Sequence, residues 1–336
     1  MDPILTIYIP TFNRNDILKE NLENLLPQLN NKVLLKIRDN ASEIPIDKTL
    51  NDLVNRNPHV KIEKNEFNIG MSANILKGFE TCRTLWLWIL SDDDKVQEGS
   101  VNSILNHIEN CNDSLYINYI SDLIENKRQT SFSTIGINNF LLKNDSLSNI
   151  IFLSSGIYNS SKIKKYLRYG YMYSYSGCPH LAMLLTAINE NNSKINFINE
   201  SIVYRKNVNL SNQKDTWSQL FVKNAVSILY ELPLNLHSEA NKEFRNQLSN
   251  GVGGVSRVFS EIMAYKKFSK DRKLYFLKQL TFRKPKALNI FEILMYAFCF
   301  CLIYFKLFPE TIERFNDKIR LKNGKEIELK DYMNRI

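Results

Sequence analysis

Residues 85–94 read LWLWILSDDD, in which six apolar residues are followed by a serine and three aspartates. A short apolar run of this kind is typical of a strand that is covered on both faces, as the strands of a parallel sheet are. The carboxylates of Asp92, Asp93 and Asp94 are then expected at the carboxyl end of that strand. Because open α/β sheets bind their ligands at this edge, the stretch predicts both a fold class and the place of a site.

The sequence around this stretch alternates between strand-like and helix-like segments. Further strands are predicted at residues 5–9, 33–37, 60–63 and 115–120. Helices are predicted at residues 17–29, 47–54, 73–82 and 100–110. Asn13 or Asn15 is expected to cap the first of these helices. The alternation predicts an α/β fold built from βαβ units around a mainly parallel sheet.

The positive charge of the protein is concentrated towards its C-terminal end. Residues 1–240 carry 24 basic and 25 acidic side chains, whereas residues 241–336 carry 20 and 10, so the whole net charge of +9 arises after residue 240. Beyond residue 140 the hydrophobic pattern becomes mixed and then mostly helical. We therefore predict two domains, an α/β domain at residues 1–220 and a helical, basic region at residues 221–336.

Composition and cysteine usage bound the class of protein. Hydrophobic residues make up 44% of the chain and charged residues 24%, which is typical of a globular protein and excludes a disordered or fibrous one. The five cysteines are odd in number and form no C-x-x-C pair, and no secretory signal precedes the first strand. These features predict reduced thiols in a cytoplasmic protein.

Three polar clusters follow three of the predicted strands. The first is PTFNR at residues 10–14, the second is Asp39 with Asn40, and the third is the acidic run at residues 92–94. Because the carboxyl ends of parallel strands meet at one edge of a sheet, we expect these distant clusters to lie close together.

The acidic run predicts a metal site. Three carboxylates in one short loop repel each other unless a cation or solvent relieves the repulsion. A hard divalent ion, Mn²⁺ or Mg²⁺, binds such oxygens and could also bridge the two phosphates of a nucleotide diphosphate. The other interpretation of Asp92, Asp93 and Asp94 is a solvated acidic turn that caps the next helix.

Four motifs, in order, resemble family 2 glycosyltransferases of the GT-A fold. They are TIYIPTFNR at residues 6–14, RDNAS at 38–42, NEFNIGMSANILKG at 65–78 and ILSDDD at 89–94. The resemblance covers residues 4–120 clearly and fades through about residue 210. It implies a Rossmann-like sheet flanked by helices, and inverting transfer of a sugar from a nucleotide diphosphate to a hydroxyl of a surface glycan such as capsule or O-antigen.

The resemblance also implies roles for individual residues. The nucleotide-sugar donor would contact Pro10, Thr11, Asn13, Arg14, Asp39, Asn68, Gly70, Asn74 and Asp92. Asp39 is the expected contact to the base or ribose. Many relatives have an aspartate where this chain has Ser91, so we favour Asp93 as the main metal ligand, with Asp92 or Asp94 assisting.

The same resemblance points to a base and to a residue that stabilises the leaving group. Relatives often supply the base from a Glu-Asp pair, but the segment aligned with it here is GCPHLAMLL at residues 177–185, so His180 is the expected catalytic base. Asp145 and Glu190 remain alternatives to it. Arg205 lies where family members place a loop over the diphosphate, and we expect it to stabilise the departing charge.

Residues 290–305 read IFEILMYAFCFCLIYF, with basic residues on both sides. This apolar stretch is shorter than the roughly 20 residues that a spanning helix needs. It predicts either an in-plane helix in peripheral contact with an anionic membrane, on the inner face of the cytoplasmic membrane, or a buried helix. Peripheral binding would suit a glycan acceptor that is linked to lipid.

Other classes of function fit the sequence less well. A nucleotidyltransferase would usually have a Gly-rich, basic phosphate loop, which TIYIPTFNR lacks. Nucleic acid is not an expected partner, because the acidic edge would repel phosphate and the basic tail contains no binding motif. A non-catalytic glycan- or nucleotide-binding module on the same fold is the remaining alternative.

Overall fold

The computed structural model describes residues 2–54, 57–121, 128–205, 226–251, 269–282 and 290–304. Ten strands lie in these ranges: β1 Leu5–Thr11, β2 Val33–Asp39, β3 Val60–Lys64, β4 Trp86–Ile89, β5 Asp94–Val96, β6 Tyr116–Ile120, β7 Phe132–Ile135, β8 Gly156–Asn159, β9 Lys194–Ser201 and β10 Val203–Arg205.

Twelve α-helices accompany the strands in the described part of the chain. They are α1 Asn15–Leu25, α2 Ile46–Val54, α3 Met71–Thr81, α4 Ser100–Asn110, α5 Ile137–Lys143, α6 Leu147–Ile151, α7 Ser160–Ile163, α8 Leu167–Met172, α9 Pro179–Asn191, α10 Ser238–Gly251, α11 Lys270–Phe282 and α12 Ile290–Tyr304. Short 3-10 helices, among them Leu153–Ser155 and Ser174–Ser176, connect several of these elements.

The main sheet has eight strands in the order β3-β2-β1-β4-β8-β6-β9-β7. Strands β3, β2, β1 and β4 are parallel to one another, and β6 is parallel to β9. Strand β8 lies antiparallel between β4 and β6, and β7 is antiparallel to β9 at the edge. Strands β5 and β10 form a separate antiparallel pair. The predicted α/β class with a mainly parallel sheet flanked by helices is confirmed.

Burial explains why the central strands form where they do. All four residues of β4 are buried, including Trp86 and Trp88, because helices cover both faces of the sheet there. Leu85, which the sequence assigned to this strand, is largely exposed and precedes it. The core cluster also takes in the apolar side chains of β1, β2 and α1.

The predicted capping of α1 by an asparagine is wrong. The helix begins at Asn15, Arg14 precedes it without a side-chain capping bond, and both asparagines bond to the loop after β2 instead. The Asn15 side chain donates to the carbonyl of Ile44, and the Asn13 side chain accepts from the backbone N–H of Glu43. These amides therefore tie two loops together and are not available for the helix end.

The chain forms two compact units, one from residues 1–207 with 231–243 and the other from residues 208–230 with 244–336. The first contains the whole main sheet. In the second, α11 packs against α12, and the buried side chains of α12 are Cys299, Leu302 and Ile303. The predicted helical character of the basic C-terminal region is confirmed for its described residues. None of the described helices is long and apolar enough to cross a membrane.

Candidate active site

The register of three parallel strands brings the three polar clusters to one edge of the sheet. Thr11, the last residue of β1, lies opposite Asp39, the last residue of β2. The backbone N–H of Asn40 donates to the carbonyl of Thr11 at 2.9 Å, and that of Leu90 donates to Tyr8 at 2.9 Å. The loops that follow β1, β2 and β4 therefore begin side by side.

Asn13 and Asp39 fix the shape of the first two loops. Asn13 has a φ of 54°, a left-handed conformation that asparagine tolerates, and its N–H donates to Ser42 Oγ at 2.8 Å. The carboxylate of buried Asp39 accepts the N–H of Ser42 at 2.9 Å, so it holds the turn after β2. Pro10 lies within β1 beside Arg38.

A network of asparagines, buried except for Asn68, connects the β2 loop to the β3 loop and α3. Asn65 Nδ2 donates to Asn40 Oδ1 and to Asn74 Oδ1, both at 2.9 Å. Asn40 Nδ2 in turn donates to Asn68 Oδ1 at 2.8 Å. Gly70, with a φ of 82°, immediately precedes α3. The predicted residues Asn68, Gly70 and Asn74 are thus brought together with Asp39 through Asn40, which no functional assignment had included.

The acidic loop holds its three carboxylates in different environments. Asp92 and Asp94 are buried, whereas Asp93 is half-buried. Asp94 Oδ2 accepts a hydrogen bond from Ser154 Oγ at 2.6 Å, so this carboxylate faces the chain that follows α6. Ser154 also accepts the N–H of Ser91 at 2.9 Å, and it carried no signal in the sequence.

One arginine bridges the other two carboxylates. Arg14 Nη1 lies 2.9 Å from Asp92 Oδ1 and 3.0 Å from Asp93 Oδ2. Burial raises the pKa of Asp92, and the charge of Arg14 counteracts this rise. Burial alone would lower the pKa of Arg14, but the two adjacent carboxylates raise it above its ordinary value. The Arg14 guanidinium therefore offsets part of the cost of burying the Asp92 carboxylate.

The hydroxyl of Thr11 indicates that a ligand belongs at this edge. Thr11 is only 3% exposed, and its Oγ1 interacts with the Asp92 carboxylate without making a well-formed hydrogen bond to any described residue. A buried hydroxyl with a poorly aligned partner forgoes part of the energy of a hydrogen bond, which an incoming polar group would recover. Phe12, the next residue, is exposed and offers a ring face beside it. Phe12 stands inside the PTFNR motif, where its exposure was not predictable from the apolar pattern.

The acidic loop offers two neighbouring carboxylates to a cation, which is fewer protein ligands than a complete metal site has. Within the described residues no three His, Cys, Asp or Glu side chains are grouped closely enough to hold a metal ion by themselves. Asp93 is the more accessible of the two carboxylates. Asp92 contacts the same Arg14 nitrogen as Asp93 does. Mg²⁺ sites on nucleotides often use one or two carboxylates and are completed by phosphate oxygens. The donor set fits a site of that kind.

His180 lies inside the protein. It is the second residue of α9 and is 2% exposed, and its Nε2 lies 3.2 Å from the carbonyl oxygen of Ile151. Its Nδ1 has no hydrogen-bond partner among the described residues. Burial lowers the pKa of His180 to about 4, so the ring is neutral near pH 7. The ring is therefore enclosed by the protein against the end of α6.

The remaining predicted residues lie at different distances from the acidic loop. The backbone of Arg205 in β10 pairs with Asp94 of β5, which brings this position next to the acidic loop. Asp145 is engaged in an ion pair with Arg128, whose Nη2 lies 2.6 Å from it. Glu190 is exposed near the end of α9, ten residues and therefore about 15 Å from His180 along the helix.

Comparisons with known proteins agree with this geometry. The sequence model of glycosyl transferase family 2 matches residues 6–167, which contain β1 to β8. No curated protein matches the sequence.

Solved structures with the same fold include TarS residues 1–349 from S. aureus, at 12% identity and a TM-score of 0.60 over 98% of this chain and 93% of that one. The same TarS fragment in complex with UDP-GlcNAc is 13% identical, with a TM-score of 0.59 over 85% of this chain and 82% of that one. The mannosyltransferase PcManGT from Pyrobaculum calidifontis in complex with GDP-Man and Mn²⁺ is 9% identical, with a TM-score of 0.51 over 90% of this chain and 85% of that one.

At identities this low, the similarity to the solved structures supports a shared fold only. The match of the family model to residues 6–167 is a similarity of sequence. The four motifs lie in order within the matched residues, and the strand register brings them to one edge. The chain therefore carries a family 2 glycosyltransferase domain of the GT-A fold and is a glycosyltransferase.

Proposed function

We propose that this protein transfers a sugar, with inversion, from a nucleoside diphosphate sugar to a hydroxyl group of a surface glycan, and that it requires a divalent cation. The observation that carries the proposal is the edge at which Thr11, Asp39 and the Asp92–Asp93 pair meet, together with the buried Thr11 hydroxyl, which makes no well-formed hydrogen bond. A polar, anionic donor with a ribose and two phosphates would use each of these features.

The nucleoside would lie over the ends of β1 and β2. There the Asp39 carboxylate and the Asn40–Asn68 amides offer polar contacts for the ribose and base, and the exposed ring of Phe12 offers a stacking surface. Thr11 Oγ1 would donate to the sugar nucleotide and so gain a well-formed hydrogen bond. Asn13, Arg14, Gly70 and Asn74 would support the same pocket through the loop contacts described above.

Asp93, assisted by Asp92, would hold the divalent cation, Mn²⁺ or Mg²⁺. When bound, the cation would neutralise negative charge that builds on the diphosphate as the bond to the sugar breaks. Asp94 would support the loop through Ser154. PcManGT was solved with GDP-Man and Mn²⁺, which supports a cation of this kind here. Arg205, next to Asp94 in the β5–β10 pair, would add positive charge on the leaving-group side.

His180 remains our proposed acceptor of the proton from the attacking hydroxyl. It is neutral at pH 7, as a base must be, and its Nδ1 is unpartnered among the described residues. The Ile151 carbonyl accepts from Nε2, so Nδ1 is the nitrogen that would take the proton, and the chain around the buried ring has to open before an acceptor hydroxyl reaches it. Replacement of His180 therefore decides between a base and a buried structural residue.

We further propose that the second domain, residues 221–336, brings the enzyme to an anionic membrane at the inner face of the cytoplasmic membrane, where a lipid-linked glycan would be accessible. One face of α12 is apolar and exposed: Ile290, Ile293, Leu294, Phe298, Phe300 and Tyr304. The opposite face carries the buried residues Cys299, Leu302 and Ile303. Arg283, Lys284 and Lys286 precede the helix in sequence and Lys306 follows it, which matches an anionic lipid surface.

The experiment that tests the transferase function is release of nucleoside diphosphate from a panel of donors that includes UDP-GlcNAc and GDP-Man, with Mn²⁺ or with chelator. We expect slow release from one donor, lost with chelator and reduced at least about 100-fold in Asp93→Asn, as for loss of an electrostatic contact to a leaving group. Asp113→Asn, the same change at an exposed aspartate, is the control.

Two results would count against this proposal. Release that persists in chelator and in Asp93→Asn would remove the metal requirement. Donor binding without release, even with glycan acceptors present, would favour the non-catalytic binding module.

A further inference from the structure

The guanidinium of Arg14 occupies the position that a cation shared by Asp92 and Asp93 would need. A single nitrogen, Nη1, lies 2.9 Å from one carboxylate and 3.0 Å from the other. A divalent ion held between the two carboxylates through these oxygen atoms, Asp92 Oδ1 and Asp93 Oδ2, would need the place that Nη1 occupies. Arg14 and the ion therefore compete for them.

Helix α1 holds the backbone of this arrangement at its first residue and at its middle. Arg14 is the residue just before the helix, and its carbonyl accepts the N–H of Leu18 at 3.0 Å. One turn further on, Asn21 Nδ2 donates to the backbone carbonyl of Asp92 at 2.6 Å. The helix thus fixes the backbone of both partners and keeps the Arg14 side chain within reach of the two carboxylates.

The ion pair is nevertheless able to open. The Arg14 side chain is 32% exposed, so its guanidinium reaches solvent by rotation about its own side-chain bonds. Asp92, by contrast, is buried and next to a second carboxylate. Within the described residues no other Lys or Arg lies at ion-pair distance from either carboxylate. If Arg14 leaves, another cation must take its place, because two adjacent carboxylates in a buried loop are otherwise uncompensated.

We propose that Arg14 is a displaceable counter-ion that holds the Asp92–Asp93 pair in the resting enzyme and yields it to the divalent cation when the donor binds. This inference rests on the proposed metal-dependent function. The donor diphosphate gives the released guanidinium a new anionic partner, so cation and donor binding support each other. The cation alone binds weakly, because it has to displace Arg14 without that compensation.

The test is calorimetric titration of Mn²⁺ in the absence of donor. Arg14→Gln is expected to bind Mn²⁺ about tenfold more tightly than the native chain, the factor that corresponds to one lost charge-assisted contact. Arg168→Gln removes the same charge at an exposed position and is expected to bind Mn²⁺ as the native chain does. Arg14→Ala serves as a second variant, and circular dichroism establishes that each variant is folded.

Thermal unfolding gives a second readout that does not depend on activity. In Arg14→Gln the two carboxylates are uncompensated without metal, so Mn²⁺ is expected to raise the melting temperature more than it does in the native chain. Arg14 variants that bind Mn²⁺ no more tightly than the native chain would overturn the inference and leave the proposed metal-dependent function standing. If no variant binds Mn²⁺ and donor does not restore binding, the metal site itself is refuted.

Discussion

Burial determines how the polar side chains of this protein behave. Thr11 has a buried hydroxyl without a well-formed hydrogen bond, Asp92 is a buried carboxylate that depends on Arg14, and His180 is a buried imidazole bonded to a backbone carbonyl. The sequence identified all four residues as site candidates from their place in motifs. It did not indicate that Arg14 bridges two aspartates, because that contact joins residues 78 and 79 positions apart through side chains whose orientation no pattern encodes.

His180 makes the stability of the protein depend on pH. The pKa of His180 is about 4 in the folded chain and 6.5 when the side chain is exposed, as in the unfolded chain. Between pH 4 and pH 6.5 the unfolded chain therefore binds the proton more readily than the folded chain does. Stability is therefore full above pH 6.5 and falls as the pH drops, by about 3 kcal/mol at pH 4. Urea unfolding at pH 7, 6, 5 and 4.5 should show this loss in the native chain and a flatter dependence in His180→Gln.

The matched control for this prediction is His59→Gln, at a histidine that is not fully buried. This variant should keep the native dependence on pH. If His180→Gln loses stability with pH as steeply as the native chain does, His180 is not the group responsible. Loss of donor turnover in His180→Gln at pH 7, with the melting temperature retained, would support its proposed role as the base.

At the scale of elements, apolar periodicity predicted the strands that lie side by side in the parallel half of the sheet. In the structure β1 and β2 each end two residues later than predicted, at the paired residues Thr11 and Asp39. The apolar pattern did not indicate these last residues because they include polar side chains. Strand β8 was not predicted, because GIYN is four residues long and includes a glycine and an asparagine. Its Gly156 packs so closely on the ring of Tyr116 that a Cβ atom would not fit, which explains a glycine inside a strand.

Helix α12 is the element whose proposed role is open to a direct test. Ile293 on its apolar face is 50% exposed, and Ile135 on β7 is 51% exposed. Replacing either by serine removes a similar apolar area from the surface. We expect Ile293→Ser to lower cosedimentation with vesicles that contain anionic phosphatidylglycerol about threefold to tenfold, as loss of an inserted side chain should.

Ile135→Ser should leave vesicle binding unchanged, and neutral phosphatidylcholine vesicles should bind the native chain weakly because the basic flanks then have no partner. Equal binding of both variants to anionic vesicles would contradict the membrane role of α12. It would favour the other interpretation, in which the apolar stretch belongs to the protein interior.

At the scale of the whole molecule, the excess positive charge and the transferase motifs lie in different parts of the chain. The transferase motifs lie within residues 6–94, where the chain is nearly neutral, whereas the positive excess lies after residue 240. Motif order was sufficient to predict the class of enzyme and the edge of the sheet at which the polar clusters meet. The asparagine network and the Ser154 contact were not predictable, because they depend on which distant loops meet.

The central claim is that the shared edge of β1, β2 and β4 binds a nucleoside diphosphate, and calorimetric titration of UDP and GDP with Mn²⁺ present tests it most directly. The native chain should bind one of them, and Thr11→Val should weaken that binding about tenfold through loss of one buried hydrogen bond. Thr134→Val is the control, because Thr134 also has a buried hydroxyl without a well-formed hydrogen bond but lies on β7 at the far edge of the sheet. Binding that Thr11→Val leaves intact, or no binding of either nucleotide, would contradict the assignment of the site.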